Sequence, residues 1–294
     1  MLYLPKTPPK ISVEFTSPSN PLAEKTIFQA ASCLKHYELD YYCVNFGGDV
    51  IAPDRASKIT HKLATQHYLP VIGYLRRTNV SADKLNALAD YYIQRTISTL
   101  FITEGRRLNT AAISTDHYAS LIQAVKSLKK HSNIKISVEA RPEHTNTEID
   151  MIRQLIDLGV DEIVTRFSFN PNLTLRFLEK VSQTHTLPKI RIGILPFENP
   201  SKTFLTAHRL NVSVPHDLQR IFGQYSDNDT INISLGMHLL LQQVQYYMQA
   251  GYDHFHVRFG RSHLPIDALC RYYNIPYHAP CDTLKNLTFK TKIV

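Results

Sequence analysis

Two sets of residues in this chain are suited to chemistry. The first is a lone acid, Glu14, in the β-branched, apolar stretch Ile11-Ser12-Val13-Glu14-Phe15, which runs into the turn Thr16-Ser17-Pro18-Ser19-Asn20. A carboxylate where a buried strand opens onto a loop is either half of a rim salt bridge or a working acid. The second set is a series of arginines just past later strand-like stretches: Arg76 and Arg77, Arg106 and Arg107, Arg141, Arg166, and Arg258 with Arg261. Acids and amides accompany them: Asn45, Glu104, Glu143, and Glu198 with Asn199. The guanidinium fork suits carboxylates, phosphates and flat heteroaromatic rings. Several arginines facing one cavity repel each other unless an anion or acidic side chains offset them. Taken singly each arginine reads as a rim ion pair; taken together they favour an anionic ligand.

The elements that would carry these residues recur regularly. Eight strand-like runs begin near Ile11, Tyr41, Val71, Thr99, Lys135, Glu162 (to Phe169), Lys189 and Asp253. Each is followed by a segment of helical periodicity, the longest from Asn232 to Ala250. Asn20 is placed to cap the first helix. Near-continuous apolar strands alternating with helices call for a parallel sheet covered on both faces. Eight such units point to a single (β/α)8 TIM barrel, α/β in class, whose chemistry sits past the C-terminal ends of the strands. A doubly wound open sheet is the rival, but it calls for a Gly-rich phosphate turn, and no GxGxxG or P-loop occurs. The expected domain is one barrel over 1–294, with a short lead at 1–10 and a polar tail at 280–294.

Composition narrows the function class. The chain has 294 residues, 43% hydrophobic and 20% charged, with 33 Lys and Arg against 25 Asp and Glu for a formal charge of +8. A basic balance fits a polyanionic small ligand or nucleic acid, but no zinc finger or RNA-binding signature supports the latter. Cys33, Cys43, Cys270 and Cys281 lack metal-ligand spacing, so no metal is expected. There is no signal-peptide core and no apolar run long enough for a membrane span, so the expectation is a cytoplasmic chain with reduced thiols.

Phrases at intervals from Ile11 to Tyr277 carry a resemblance. They are ISVEF before a Pro, VNFGGD with a following DR, EGR, HYAS, VEARPE, LIDLGVDEIVTRFSF, IGILPFEN and DHFHVRFGR. In this order they resemble the catalytic domain of methylenetetrahydrofolate reductases. The resemblance implies a (β/α)8 barrel that binds FAD and uses NAD(P)H to reduce 5,10-methylenetetrahydrofolate to 5-methyltetrahydrofolate, in one-carbon and methionine metabolism. By position, Glu14 matches the family's catalytic glutamate, a general acid that opens the methylene bridge to an iminium. That step calls for a carboxylic acid with a raised pKa. Arg166, Asn199 and Arg261 match the folate side. Asn45, Arg106, Tyr118, Ala119, Ser120, Arg141 and Glu148 match positions along the FAD.

Departures from the family cluster on the flavin half. Glu104-Gly105-Arg106 stands where the family has Arg-Gly-Asp, so a cation replaces the aspartate beside the flavin ring. Arg166 replaces a glutamine that holds the pterin, and Asn45 replaces a threonine near the FAD phosphates. Glu148, Met151, Gln154 and Leu155 stand where polar and basic anchors are usual, and Met and Leu donate no hydrogen bonds. Two readings therefore stand: a divergent reductase, with FAD held by altered contacts or hydride passed directly from NAD(P)H, or a flavin-less barrel repurposed to bind folate or a partner protein. A homo-oligomer, or an acidic protein at the arginine-rich mouth, is left open.

Overall fold

The structure is a computed structural model that describes residues 7–46, 52–77, 82–105, 115–130, 133–143, 146–224, 229–260 and 262–278. The first half runs β1 (Lys10–Thr16), α1 (Pro21–Leu34), β2 (Tyr41–Asn45), α2 (Ala52–Gln66), β3 (Gly73–Arg76), α3 (Ala82–Ile93), β4 (Thr99–Thr103) and α4 (Thr115–Leu128). The second runs β5 (Lys135–Ala140), α5 (Asn146–Asp157), β6 (Glu162–Thr165), α6 (Pro171–Ser182), β7 (Lys189–Ile194), α7 (Pro200–Arg209), α8 (His216–Gln224), α9 (Asp229–Gln249), β8 (His254–Arg258) and α10 (Leu264–Tyr272).

The strands pair in parallel in the order β2-β1-β8-β7-β6-β5-β4-β3. The remaining seam lies between β2 and β3. It is joined by a parallel bridge from Tyr42 to Val71, with the Tyr42 N–H donating to Pro70 O at 2.8 Å and the Ile72 N–H to Tyr42 O at 3.0 Å. The ends of the sheet thus meet, which makes it a (β/α)8 barrel and removes the open-sheet rival. Among the described residues no helix is long and apolar enough to cross a membrane. Lys10, expected in the lead, opens β1; residues 1–6 and 279–294 lie outside the described residues.

Strand alternation sorts the side chains. Along β1, Ile11, Val13 and Phe15 are fully buried in the shell between strands and helices, and Ser12 and Glu14 alternate with them. Asn20 caps α1 as expected, its Oδ1 accepting from the Ala23 N–H at 2.9 Å.

The barrel interior is polar at both ends. Near the N-terminal ends of the strands, Arg191 is fully buried. Its Nη2 donates to Asp40 at 2.7 Å and its Nε to Glu162 at 2.9 Å, with the Tyr41 ring 4.6 Å from its guanidinium carbon. Glu162 also accepts from Tyr41 and Ser137 hydroxyls, each at 3.0 Å.

β6 ends at Thr165, four residues short of the expected Phe169. The chain peels away there and turns locally, the Ser168 hydroxyl oxygen accepting from the Asn170 N–H at 3.2 Å. Gly193 on β7 makes the departure possible. A Cβ at that position would run into the backbone of Thr165 and Phe167. Gly193→Ala is expected to push the Thr165–Phe167 segment off β7 and lower stability by at least about 2 kcal/mol. Denaturant unfolding checks this, and an unchanged midpoint would show that the crossing has slack.

Candidate active site

The barrel mouth is organised by the register of three strands. Glu14 on β1 lies beside Cys43 on β2 and Arg258 on β8, and Ser12 lies beside His256. Partners in a parallel ladder share a face, so these residues and Asn45, which is level with Thr16, point together into the barrel.

Glu14 is 9% exposed. Its Oε1 accepts from Asn45 Nδ2 at 2.7 Å and lies 3.6 Å from Arg258 Nη1; its Oε2 lies 3.3 Å from His256 Nε2. On the far side of the imidazole, Nδ1 lies 2.8 Å from Ser12 Oγ. Burial pushes the Glu14 carboxyl up, but Arg258, His256 and Asn45 outweigh it and hold it down at about 2. The expected raised carboxyl is therefore corrected. In the free protein Glu14 is an anion, because its neighbours include a cation, Arg258, and a hydrogen-bond donor, Asn45.

Glu14, Cys43 and His256 also place one ligand atom each within 4.8 Å of one another. Burial pushes the Cys43 thiol well up, and Arg258 already faces the carboxylate.

A second, half-buried charge cluster stands on β5 and at the end of β6. Arg166 donates from Nε and Nη2 to the two oxygens of Glu139 at 3.2 and 2.8 Å, and from Nη1 to Leu210 O at 3.1 Å. Arg141 Nε lies 3.8 Å from the same carboxylate. Burial raises the Glu139 carboxyl, but Arg166 and Arg141 overcome this and hold it low. Glu148, fully buried on α5, accepts from the Arg141 backbone N–H at 3.0 Å, and burial raises its carboxyl. Arg76 lies over the Phe46 ring at 5.6 Å. Among the described mouth arginines, Arg141, Arg166 and Arg258 are thus offset by the protein's own acids.

Toward β7 and β8 lies a cavity of about 400 Å³ lined by Thr16, Glu198, Asn199, Lys202, Arg209 and Arg258, among others. Asn199 also caps α7, its Oδ1 accepting from the Lys202 N–H at 3.0 Å.

Of the residues singled out in the sequence, Glu14 and Asn45 meet directly and Asn199 lines the adjoining cavity. Arg141, Arg166 and Glu148 gather in the second cluster. Arg106 and Arg261 lie outside the described residues. Tyr118, Ala119 and Ser120 fall in α4, with their side chains outside the described residues. The sequence reading passed over Ser12 and His256 and named Arg258 only as a rim residue. The available signal was the alternation of polar residues, Ser12/Glu14 in β1 and His256/Arg258 in β8, within otherwise apolar strands.

The profile of the methylenetetrahydrofolate reductase family matches residues 3–259. The chain belongs to this family. It is similar to the 5,10-methylenetetrahydrofolate reductase of Buchnera aphidicola subsp. Baizongia pistaciae, 27% identical over 254 residues, 84% of this chain and 85% of that protein. Against the Escherichia coli K12 reductase the identity is 23% over 252 residues, 84% of each chain. Among solved structures, a Clostridium thermocellum protein that binds two copies of 5-methyl-5,6,7,8-tetrahydrofolic acid shares the fold, with a TM-score of 0.64 at 14% identity over 91% of this chain and 95% of that one.

The described residues of this reductase-family barrel do not fit FAD at the positions the resemblance assigns. Met151 and Leu155 are buried among core side chains, 4% and 0% exposed. Glu148 offers a pyrophosphate only an acid. The Arg141 side chain pairs with Glu139, and Asn45 Nδ2 is spent on Glu14 and on Thr16 Oγ1 at 3.2 Å. Among these side chains only Arg141 is cationic, and its charge faces a carboxylate.

Proposed function

We propose that this barrel reduces 5,10-methylenetetrahydrofolate to 5-methyltetrahydrofolate, taking hydride directly from a reduced nicotinamide, NADH or NADPH, in one-carbon and methionine metabolism. The observation that carries the reading is Glu14, fixed by Asn45 and by Arg258, which also lines the 400 Å³ cavity. The names of the relatives agree with it, as does the methyltetrahydrofolate in the Clostridium protein.

Glu14, once protonated from solvent, delivers that proton to one nitrogen of the methylene bridge as its C–N bond breaks. The remaining nitrogen forms an iminium, and hydride adds to the bridge carbon to leave a methyl group. The reaction consumes one proton and one hydride. Arg258 and Asn45 keep the carboxylate aimed and stabilise it after the proton leaves. Asn199, Lys202 and Arg209 line the cavity with Arg258 and supply donors and positive charge for an anionic substrate. The resemblance assigns Arg261 and Arg166 to the substrate, and Arg166 is held by Glu139.

A second reading, a barrel that binds folate or a protein partner without reducing anything, is favoured by the Arg166–Glu139 pair, which ties up the cation on the pterin side. The visible spectrum of the purified protein with and without added FAD, beside an assay of nicotinamide oxidation by methylenetetrahydrofolate, separates the readings. The expected result is turnover without a flavin band. A stoichiometric flavin band would overturn the misfit of FAD. Binding of 5-methyltetrahydrofolate without turnover would favour the second reading.

A further inference from the structure

Glu14 on β1, Cys43 on β2 and His256 on β8 each point one ligand atom into the same small volume of the barrel interior. We infer that this volume is a zinc site, held by Glu14 Oε2, Cys43 Sγ and His256 Nε2, and that an ion bound there switches off proton delivery by Glu14. The site itself does not depend on the reductase reading; its effect on turnover does.

The distances are those of ligands gathered around one small ion. His256 Nε2 lies 3.3 Å from Glu14 Oε2 and 3.8 Å from Cys43 Sγ, and all three atoms lie within 4.8 Å of one another. A tetrahedral zinc with ordinary bond lengths sets an N···O edge of about 3.3 Å and an N···S edge of about 3.6 Å. Thiolate, imidazole and carboxylate together form a donor set for zinc, whereas magnesium and calcium take oxygen ligands. Three protein ligands leave the fourth position of the tetrahedron to water.

The groups that orient these ligands are already in place. The Ser12 hydroxyl donates to Phe255 O at 3.2 Å, so it offers lone pairs to His256 Nδ1 at 2.8 Å. This puts the ring hydrogen on Nδ1 and leaves the Nε2 lone pair for Oε2 and Sγ, which is how a metal-binding imidazole is held. Asn45 Nδ2 occupies Glu14 Oε1 at 2.7 Å, and Arg258 stands 3.6 Å from that same oxygen, so Oε2 is the one left to bind. The Tyr41 and Phe101 rings flank the imidazole at 5.9 and 5.6 Å between centroids and keep its surroundings apolar. A lone pair, a carboxylate oxygen and a thiol thus converge, and the thiol carries the one hydrogen among them.

Binding replaces that hydrogen. The Cys43 S–H bond breaks, its proton leaves to solvent, and the S–Zn bond forms; His256 and Glu14 each donate a lone pair, and no group changes oxidation state. Burial disfavours a bare thiolate at Cys43, and a bound dication supplies the charge that stabilises one. With Oε2 bonded to the ion and Oε1 held by Asn45, neither Glu14 oxygen is left to carry a proton to substrate. The sequence shows no metal-ligand spacing because the three ligands come from strands at the two ends of the chain, and only the barrel register brings them together.

Metal titration of the full chain, stripped with chelator and kept reduced, tests this, with Co²⁺ as the coloured substitute for zinc. Among the described residues this is the one place where three such ligand atoms converge. One Co²⁺ per chain is expected to give the strong visible bands of a tetrahedral ion together with a near-ultraviolet thiolate-to-cobalt band, and Zn²⁺ to displace it. Absence of tetrahedral bands would overturn the inference. Cys43→Ser is expected to lose the near-ultraviolet band and to bind zinc at least about tenfold more weakly; an unchanged spectrum would put the ion on other ligands and overturn the inference as well. If Cys43→Ser does not fold, Ser12→Ala decides: zinc affinity is expected to fall about 10- to 100-fold, and unchanged affinity would remove His256 as a ligand. With one equivalent of Zn²⁺, wild-type turnover is expected to fall on the order of 100-fold and to return on chelation. Full turnover by zinc-loaded protein would overturn the switch. Wild-type protein without turnover would remove the reductase reading, and the cobalt spectra would still decide the site.

Discussion

Glu14→Gln is expected to lower reductase turnover by about 10²- to 10⁴-fold while the barrel stays folded. The amide oxygen still accepts from Asn45, so the side chain stays in place, but it has no transferable acidic proton. The variant also leaves Arg258, whose side chain is 26% exposed, without its carboxylate, and water replaces part of what is lost. The stability cost is about 1–3 kcal/mol, a few degrees in Tm. The held-down carboxyl gives a second signature. A depressed carboxyl stabilises the fold above its ordinary 4.5, and this contribution is lost as pH falls toward about 2. Wild-type stability therefore falls across that window more steeply than that of the variant. Steady-state kinetics and melting curves on both proteins check the pair of effects. Retained turnover in Glu14→Gln would remove Glu14 from the mechanism.

Arg191→Met is expected to have the largest effect on stability. It leaves Glu162 almost fully buried without its closest cation and strips Asp40 of its closest partner, while Lys189 remains 3.6 Å from each. Breaking a buried pair by removing one member costs about 3–5 kcal/mol, which is on the order of 10 °C in Tm for a chain of this size. Burial raises the Asp40 and Glu162 carboxyls, but Arg191 overcomes it and holds both below their ordinary values. They stabilise the fold above those values and release that stability as pH falls below them, so the variant's stability responds less to acid. Adding Glu162→Gln should recover part of the loss, since it removes the stranded charge. A midpoint within about 1 kcal/mol of wild type in the single variant would show that the barrel hydrates this layer and that the pairing matters little.

The two acids illustrate how far sequence reasoning reaches. Glu14 was legible as an acid in an apolar strand, because a strand's alternation says which residues face inward. The direction of its pKa was not legible. Burial argues for a raised carboxyl, and the outcome depends on which donors stand within about 4 Å of it. Two of them, His256 and Arg258, are more than 240 residues away along the chain and arrive only through the β1–β8 register. Arg166 shows the same limit from the other side. Its position past β6 was legible, but its bidentate pair with Glu139 on β5 was not, so an expected ligand contact is already occupied by the protein.

By itself the sequence determined the eight βα units, the barrel class and the place of Glu14, which follow from periodicity, capping and local polarity, and it carried the family resemblance in its ordered phrases. Only the tertiary structure decided which charges meet. It closed β1 against β8 and β5 against β6, set the ionisation of Glu14, consumed Arg166 in an ion pair, and put an imidazole behind the acid. Periodicity fixes the face of a side chain, whereas charge pairing depends on distances across the barrel that no local pattern encodes.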